Sequence, residues 1–128
     1  GVQTCALPIS HVGYTEPWAR ADGLYRDHIL VDLKDMDRAK AEGDIVGFLK
    51  LILGQKGRII GATIVGEKAG ELTPLASMAI AKKLKATGFL NMIFPYPTQA
   101  EIYKFASLKA AKAGFRPWMK TLIKKLFL

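Results

Sequence analysis

One segment of the chain concentrates residue types that could do chemistry, the run Phe94-Pro95-Tyr96-Pro97-Thr98-Gln99-Ala100-Glu101. Tyr96 lies between two prolines, which restrict the backbone on both sides of it. Its hydroxyl can donate a hydrogen bond or lie beside a thiolate. A tyrosine has an ordinary pKa of about 10, so it is a poor base near neutral pH. Glu101 supplies a carboxylate that could orient such a group, and Tyr96 and Glu101 are therefore the candidate catalytic residues.

A purely structural interpretation of the same segment stays open. Thr98 and Glu101 have the spacing of a capping box, in which each side chain accepts the backbone N–H of the other residue. Tyr96 could be a surface-loop residue that its prolines merely hold rigid. Phe94 and Pro95 suit packing better than chemistry.

The rest of the chain offers few other chemical groups. His11 and His28 have no second ligand at metal-binding spacing, so no metal site is expected. Cys5 is the single cysteine, which excludes an internal disulfide and a cysteine-based zinc site. No Gly-x-Gly-x-x-Gly fingerprint is present, so the chain is expected to bind no dinucleotide cofactor by itself.

The elements that must position the segment follow from the apolar periodicity. Strands are expected at 29–34, 45–53 and 58–65, with a hairpin turn at 54–57. Residues 35–44 are polar and are expected to be a connection. Helices are expected after Thr15 with Trp18 as an anchor to the core, from 71 with Pro74 in the first turn, and from the capping box to about 113. Strands that precede helices predict an α+β fold, an antiparallel β-sheet backed by helices.

The positive charge is concentrated near the C-terminal end. The net charge is +8, and all residues after Glu101 that carry charge are basic. Residues 115–128 form a pattern typical of a basic amphipathic helix, which predicts either docking on a protein surface or membrane-surface contact by 116–128. Basic residues interleaved with aromatics over a folded face are absent, so nucleic-acid binding is not expected.

Two stretches together resemble the C-terminal dimerisation domain of the pyridine nucleotide-disulfide oxidoreductases. The run GRIIGATIVGEKAGEL at 57–72 is similar to the strand, turn and helix start of that domain. The run at 94–101 resembles the family's His-x-His-Pro-Thr-x-x-Glu motif, with both histidines replaced. Weaker matches at 10–16 and 47–51 lie in the family's order, and the ordered set makes the resemblance specific.

The resemblance implies a homodimer in which each subunit carries an FAD domain, an NAD(P) domain and this domain. It implies that the 94–101 segment reaches the flavin and the redox-active cysteine pair of the partner subunit. Tyr96 takes the place of the acid/base histidine, as in the mercuric-reductase branch, and Glu101 that of the orienting glutamate. Phe94, Pro95 and Tyr96 are then expected near the partner's flavin. No cysteine follows Cys5, so the vicinal cysteine pair that ends mercuric reductases is missing.

The domain organisation expected from this resemblance has three parts. Residues 1–9 are a leader that the family pattern does not match, 10–114 are the dimerisation domain, and 115–128 are the tail helix. The assembled protein is expected to be a cytoplasmic FAD-dependent oxidoreductase, membrane-associated if the tail binds lipid, and the isolated chain is expected to be inactive. The alternative is a non-enzymatic dimerisation or membrane-surface module. The electron acceptor, mercury included, and the choice between NADH and NADPH stay open.

Overall fold

The structure is a computed structural model that describes residues 7–114, 121–122 and 124–126. The strands are β1 (Ile9–Gly13), β2 (Asp27–Asp32), β3 (Phe48–Leu53) and β4 (Ile59–Val65). The helices of residues 7–114 are α1 (Glu16–Ala21), α2 (Asp37–Glu42), α3 (Ala69–Ala81) and α4 (Ile102–Gly114). Short 3-10 turns lie at Leu33–Asp35, Gln55–Gly57, Ala86–Asn91 and Gln99–Glu101.

The four strands form one antiparallel sheet in the order β1-β4-β3-β2. One face of this sheet is the core, since α3 packs on β1 and β4 while α4 packs on β2. Alternation along β3 sends Leu49 and Leu51 into that core, opposite Ile64 and Ala62 of β4. This architecture confirms the predicted α+β fold with an antiparallel sheet backed by helices.

The hairpin turn and the first helix lie where the sequence predicted them, but β3 begins at Phe48, three residues later than expected, because Ile45 and Val46 remain exposed before it. The Gly54 N–H donates to the Arg58 carbonyl at 2.8 Å and closes the turn between β3 and β4. The Thr15 hydroxyl accepts the Trp18 N–H at 3.3 Å and caps α1. Trp18 as a core anchor was wrong, because its side chain is 55% exposed and packs on the neighbouring Tyr14 ring. Ala19 is the residue of α1 that is buried.

Residues 35–44 are not the simple connection that their polarity predicted. They contain α2, which begins at Asp37 and ends before Gly43, a glycine with φ of +72°. Met36 and Ala39 are its buried contacts. With so few apolar positions, a helix of six residues has no periodicity that a sequence could display.

Other boundaries shift by a few residues. Strand β2 covers Asp27–Asp32, two residues earlier than expected, because Leu33 enters a 3-10 turn and is buried there. Helix α3 begins at Ala69, so Pro74 lies in its second turn rather than its first. An edge strand, β1, lies at Ile9–Gly13 and shares only Ile9 with residues 1–9, of which 1–6 lie outside the described residues.

Most of the expected tail helix lies outside the described residues, including Trp118, Met119, Ile123 and Phe127. Residues 121–122 and 124–126 are helical and exposed. No helix within the part of the chain that the structure describes is long and apolar enough to cross a membrane.

Candidate functional site

The 94–101 segment connects the 3-10 turn Ala86–Asn91 to α4 and is fixed at both ends. Phe94 is half-buried and packs against the core. The Glu101 carboxylate accepts the Thr98 N–H at 3.1 Å, so the expected capping box is present. The Thr98 hydroxyl donates to the Pro95 carbonyl at 2.8 Å and closes the loop from inside. The Tyr96-Pro97 peptide bond is cis. These contacts hold the loop at both of its ends.

Tyr96 is the exposed residue at the centre of this fixed loop. Its side chain is 72% exposed, and its hydroxyl donates to Asp37 Oδ2 at 3.1 Å. This hydrogen bond and the negative charge of Asp37 raise the pKa of Tyr96 above its ordinary value, and the charge of Glu101 acts in the same direction. The phenol is therefore neutral near pH 7. It offers a hydroxyl for hydrogen bonding and no general base.

Glu101 lies close to Tyr96 in sequence but bonds elsewhere. Its carboxylate is directed to the Thr98 backbone rather than to the Tyr96 hydroxyl. Its contribution to Tyr96 is the fixed backbone and a nearby negative charge. The acceptor of the Tyr96 hydroxyl is Asp37, on a helix that the sequence did not predict.

A second residue of the segment makes contacts that the sequence did not predict. Gln99 is only 4% exposed, and its Nε2 donates to Asp44 Oδ2 at 2.9 Å and to Glu42 Oε2 at 3.2 Å. Glu42 also accepts Arg38 Nε at 2.7 Å and Lys68 Nζ at 3.0 Å. Hydrogen bonds from Arg38, Lys68 and Gln99 lower the pKa of Glu42 to about 2. Gln99 occupies one of the unspecified positions of the motif, and nothing in the sequence indicated that this polar residue would be buried.

The other candidate groups lie apart from this segment. The two ring nitrogens of His11 lie 2.8 Å from Thr63 Oγ1 and from the Gly13 carbonyl. His28 Nδ1 lies 2.8 Å from the Tyr25 hydroxyl. Within the described residues no group of three or more His, Cys, Asp or Glu side chains could hold a metal ion. Cys5 lies outside the described residues.

Comparison with known proteins assigns the fold and the segment to one family. The family model described as pyridine nucleotide-disulphide oxidoreductase, dimerisation domain, matches residues 1–107. The mercuric reductase of Serratia marcescens is 36% identical over 100 residues, which are 77% of this chain and 22% of the relative. The soluble pyridine nucleotide transhydrogenase of Marinobacter nauticus is 33% identical over 111 residues, 84% of this chain and 24% of the relative. The chain thus spans about a fifth to a quarter of the length of these curated relatives.

Solved structures lead to the same family. The HOCl-induced flavoprotein disulfide reductase RclA of Escherichia coli superposes with a TM-score of 0.71 and 27% identity, over 77% of this chain and 23% of that one. LpdA of Mycobacterium tuberculosis shares the fold with a TM-score of 0.73 at 22% identity, over 80% of this chain and 22% of that one. This chain belongs to the pyridine nucleotide-disulphide oxidoreductase family and is its dimerisation domain.

Proposed function

We propose that this chain forms the dimer interface of an FAD-dependent NAD(P)H:disulfide-type oxidoreductase and lends the Tyr96-Glu101 segment to the flavin/dithiol site of the partner subunit. The observation that carries the proposal is Tyr96, a side chain 72% exposed on a loop that is fixed at both ends. An exposed aromatic ring on a rigid loop is suited to insertion into a site on another subunit, because little conformational freedom is lost on assembly.

The cofactors of such an enzyme would be bound by domains outside this chain, which has no dinucleotide fingerprint. Bound FAD would supply electron transfer from NAD(P)H to a disulfide, which is thereby reduced to a dithiol. Pro95 and Tyr96 are both exposed, and they present an apolar surface with one neutral hydroxyl beside it. This surface suits the neighbourhood of a flavin ring, with Phe94 behind it as packing.

The Tyr96 hydroxyl has a chemistry that matches a thiol partner. It donates its proton to Asp37, so its oxygen keeps lone pairs that can accept a thiol S–H. Beside a thiolate, the same proton could instead be donated to sulfur. Tyr96 would then bind and orient the sulfur, while Glu101 keeps the loop in shape through Thr98.

A direct test is the flavin content and turnover of the full-length protein that carries this domain. We expect a purified yellow protein whose flavin absorbance bleaches on anaerobic mixing with NADH or NADPH. Tyr96→Phe should slow turnover of a disulfide-type acceptor while flavin reduction by NAD(P)H continues. Tyr14→Phe is the matched control, since the Tyr14 hydroxyl makes no hydrogen bond with another described residue.

A colourless protein would overturn this proposal and favour the alternative, a non-enzymatic dimerisation or membrane-surface module. One observation supports membrane-surface contact by 116–128: Leu122 and Leu126 lie four residues apart on helical backbone and are 48% and 68% exposed. Sedimentation with anionic phospholipid vesicles tests that contact, and it should be lost on Leu122→Ser with Leu126→Ser.

A further inference from the structure

We infer that α2 is a two-point brace for the site segment, with Asp37 at its first residue and Glu42 at its last acting as positioning residues for Tyr96. The inference rests on the proposed role of Tyr96 in the partner's site. It identifies the part of this chain that sets the position of the tyrosine hydroxyl.

The first point of the brace is the contact between Asp37 and Tyr96. Asp37 Oδ2 lies 3.1 Å from the tyrosine oxygen, and the two residues are 59 positions apart in the chain. A hydroxyl bonded to an ionised carboxylate makes a stronger hydrogen bond than one bonded to a neutral group. Asp37 therefore fixes the place of the oxygen, and it directs the proton as long as no thiolate competes for it.

The second point of the brace is Gln99, which is held by Glu42 and Asp44. The Gln99 side chain is 96% buried, since only 4% of it is exposed, and its Nε2 donates to both carboxylates. Its Oε1 has no hydrogen-bond partner among the described residues. The reverse amide orientation would place Oε1 against two carboxylates, so the observed one is fixed by charge. The buried unpaired Oε1 destabilises the fold, and the two hydrogen bonds that Nε2 donates offset this destabilisation.

The brace is itself anchored to the rest of the domain. Met36 and Ala39 are buried at 1% and 0% exposure and attach α2 to the core. At its last residue, Glu42 also accepts Lys68 Nζ at 3.0 Å, and Lys68 directly precedes α3. The segment from Tyr96 to Gln99 is thus tied at both ends to one short helix that is itself attached to the core.

The brace predicts a property of Tyr96 that the 128-residue chain shows without any flavin. With tyrosines isotope-labelled at Cζ, nuclear magnetic resonance observes the four tyrosines, and Tyr96→Phe assigns the signal whose titration is followed. The charged groups that act on this phenol are Asp37 of α2 and, less strongly, Glu101. Asp37→Asn should move the Tyr96 midpoint to lower pH.

Asp35→Asn is the matched control, because it removes one charge two positions earlier from a side chain that bonds no other described residue. It should leave the Tyr96 midpoint nearly unchanged. Equal shifts from Asp35→Asn and Asp37→Asn, or no shift from either, would refute the first point of the brace.

The second point is tested by Gln99→Met, which keeps the size of the side chain and removes both the donated bonds and the unpaired oxygen. Asp37 is retained, so any change at Tyr96 arises from its position alone. We expect the Tyr96 midpoint to fall in a chain that circular dichroism shows to be folded. An unchanged midpoint in the folded variant would mean that α2 holds Tyr96 through Asp37 only, and the two-point brace would be wrong.

The full-length flavoprotein separates failure of the brace from failure of the proposed function. Asp37→Asn should lower kcat for the disulfide-type acceptor and leave KM for NAD(P)H unchanged. Because Asp37 acts through Tyr96, the double variant with Tyr96→Phe should be no slower than Tyr96→Phe alone. A colourless protein whose Tyr96 midpoint still shifts on Asp37→Asn would support the brace and contradict the enzymatic role. A flavoprotein whose Tyr96→Phe variant is slow but whose Asp37→Asn variant is not would support the enzymatic role of Tyr96 and contradict the brace.

Discussion

At the scale of single residues, the Ser107 hydroxyl forms hydrogen bonds with two backbone groups. It is fully buried on α4, donates to the Ala86 carbonyl at 2.5 Å and accepts the Phe89 N–H at 3.2 Å. Ser107→Ala removes both of these buried hydrogen bonds and should lower the free energy of unfolding by about 1–3 kcal/mol. Urea denaturation measures the change.

The control for this prediction is Ser77→Ala. Ser77 is a half-buried serine of α3 whose hydroxyl bonds no other described residue. Its replacement should change the free energy of unfolding by less than about 0.5 kcal/mol. Equal losses at Ser77 and Ser107 would contradict the role of the Ser107 hydroxyl.

Glu16 gives stability a predictable dependence on pH. Hydrogen bonds from Lys50 and Arg20 lower its pKa from 4.5 to about 2. The unfolded chain therefore binds the proton more tightly than the folded chain does. The contribution of Glu16 is fully present above pH 4.5 and is lost as the pH falls towards about 2. Glu16→Gln should flatten the loss of stability in that window.

This effect is measured by thermal unfolding at a series of pH values. The series runs from neutral pH down to about 2, which is the lowered pKa of Glu16. Glu67→Gln serves as the control, because Glu67 is exposed and its carboxylate bonds no other described residue. A curve for Glu16→Gln that runs parallel to that of the unaltered chain would show that the ion pairs with Lys50 and Arg20 contribute nothing to stability.

Local spacing made part of the site predictable at this scale. The capping box from Thr98 to Glu101 was visible in four consecutive residues, and the structure has it. The acceptor of the Tyr96 hydroxyl was not visible, because Asp37 lies 59 residues away and reaches it only through the tertiary fold. The catalytic roles of Tyr96 and Glu101 stay predictions.

At the scale of elements, Gly61 is the residue that lets β4 and the turn after β1 approach each other. A Cβ added there would lie 1.8 Å from the Tyr14 carbonyl oxygen, where backbone cannot give way cheaply. Gly61→Ala should cost about 3 kcal/mol or more, the upper range for an overpacked site. Equilibrium denaturation measures it.

Gly70→Ala is the control for the Gly61→Ala prediction. A Cβ there meets no other atom within 4 Å, and the residue lies in the first turn of α3. Alanine should stabilise the helix by up to about 1 kcal/mol. The two glycine variants should therefore have effects of opposite sign, and a destabilised Gly70→Ala would contradict the argument.

The predictability of each element followed from its length and pattern. Strands β3 and β4 were predicted because an apolar run, a glycine-rich turn and a second run are signals that need no tertiary contact. Helix α2 was missed because its six residues are polar apart from two alanines, and burial of Met36 and Ala39 is decided by the surrounding core. The missed element is the one that holds the site segment.

At the scale of the whole molecule, a dimerisation domain must present apolar surface that its own core leaves uncovered. The segment before Tyr96 has this property, since Ile93 is 97% exposed and lies beside the partly exposed Met92. A fully exposed isoleucine contributes almost nothing to folding of the single chain. Its apolar surface is therefore available for a partner.

Ile93→Asp is expected to separate association from folding. The unaltered chain should self-associate at about 100 μM, a concentration at which even weak interfaces are populated. Ile93→Asp should be monomeric by sedimentation velocity, and its free energy of unfolding should change by less than about 0.5 kcal/mol because the side chain has no core contact to lose. Leu24→Asp, at an exposed leucine between α1 and β2, is the control and should still associate. A monomeric unaltered chain, or equal association in both variants, would place the interface elsewhere on the domain.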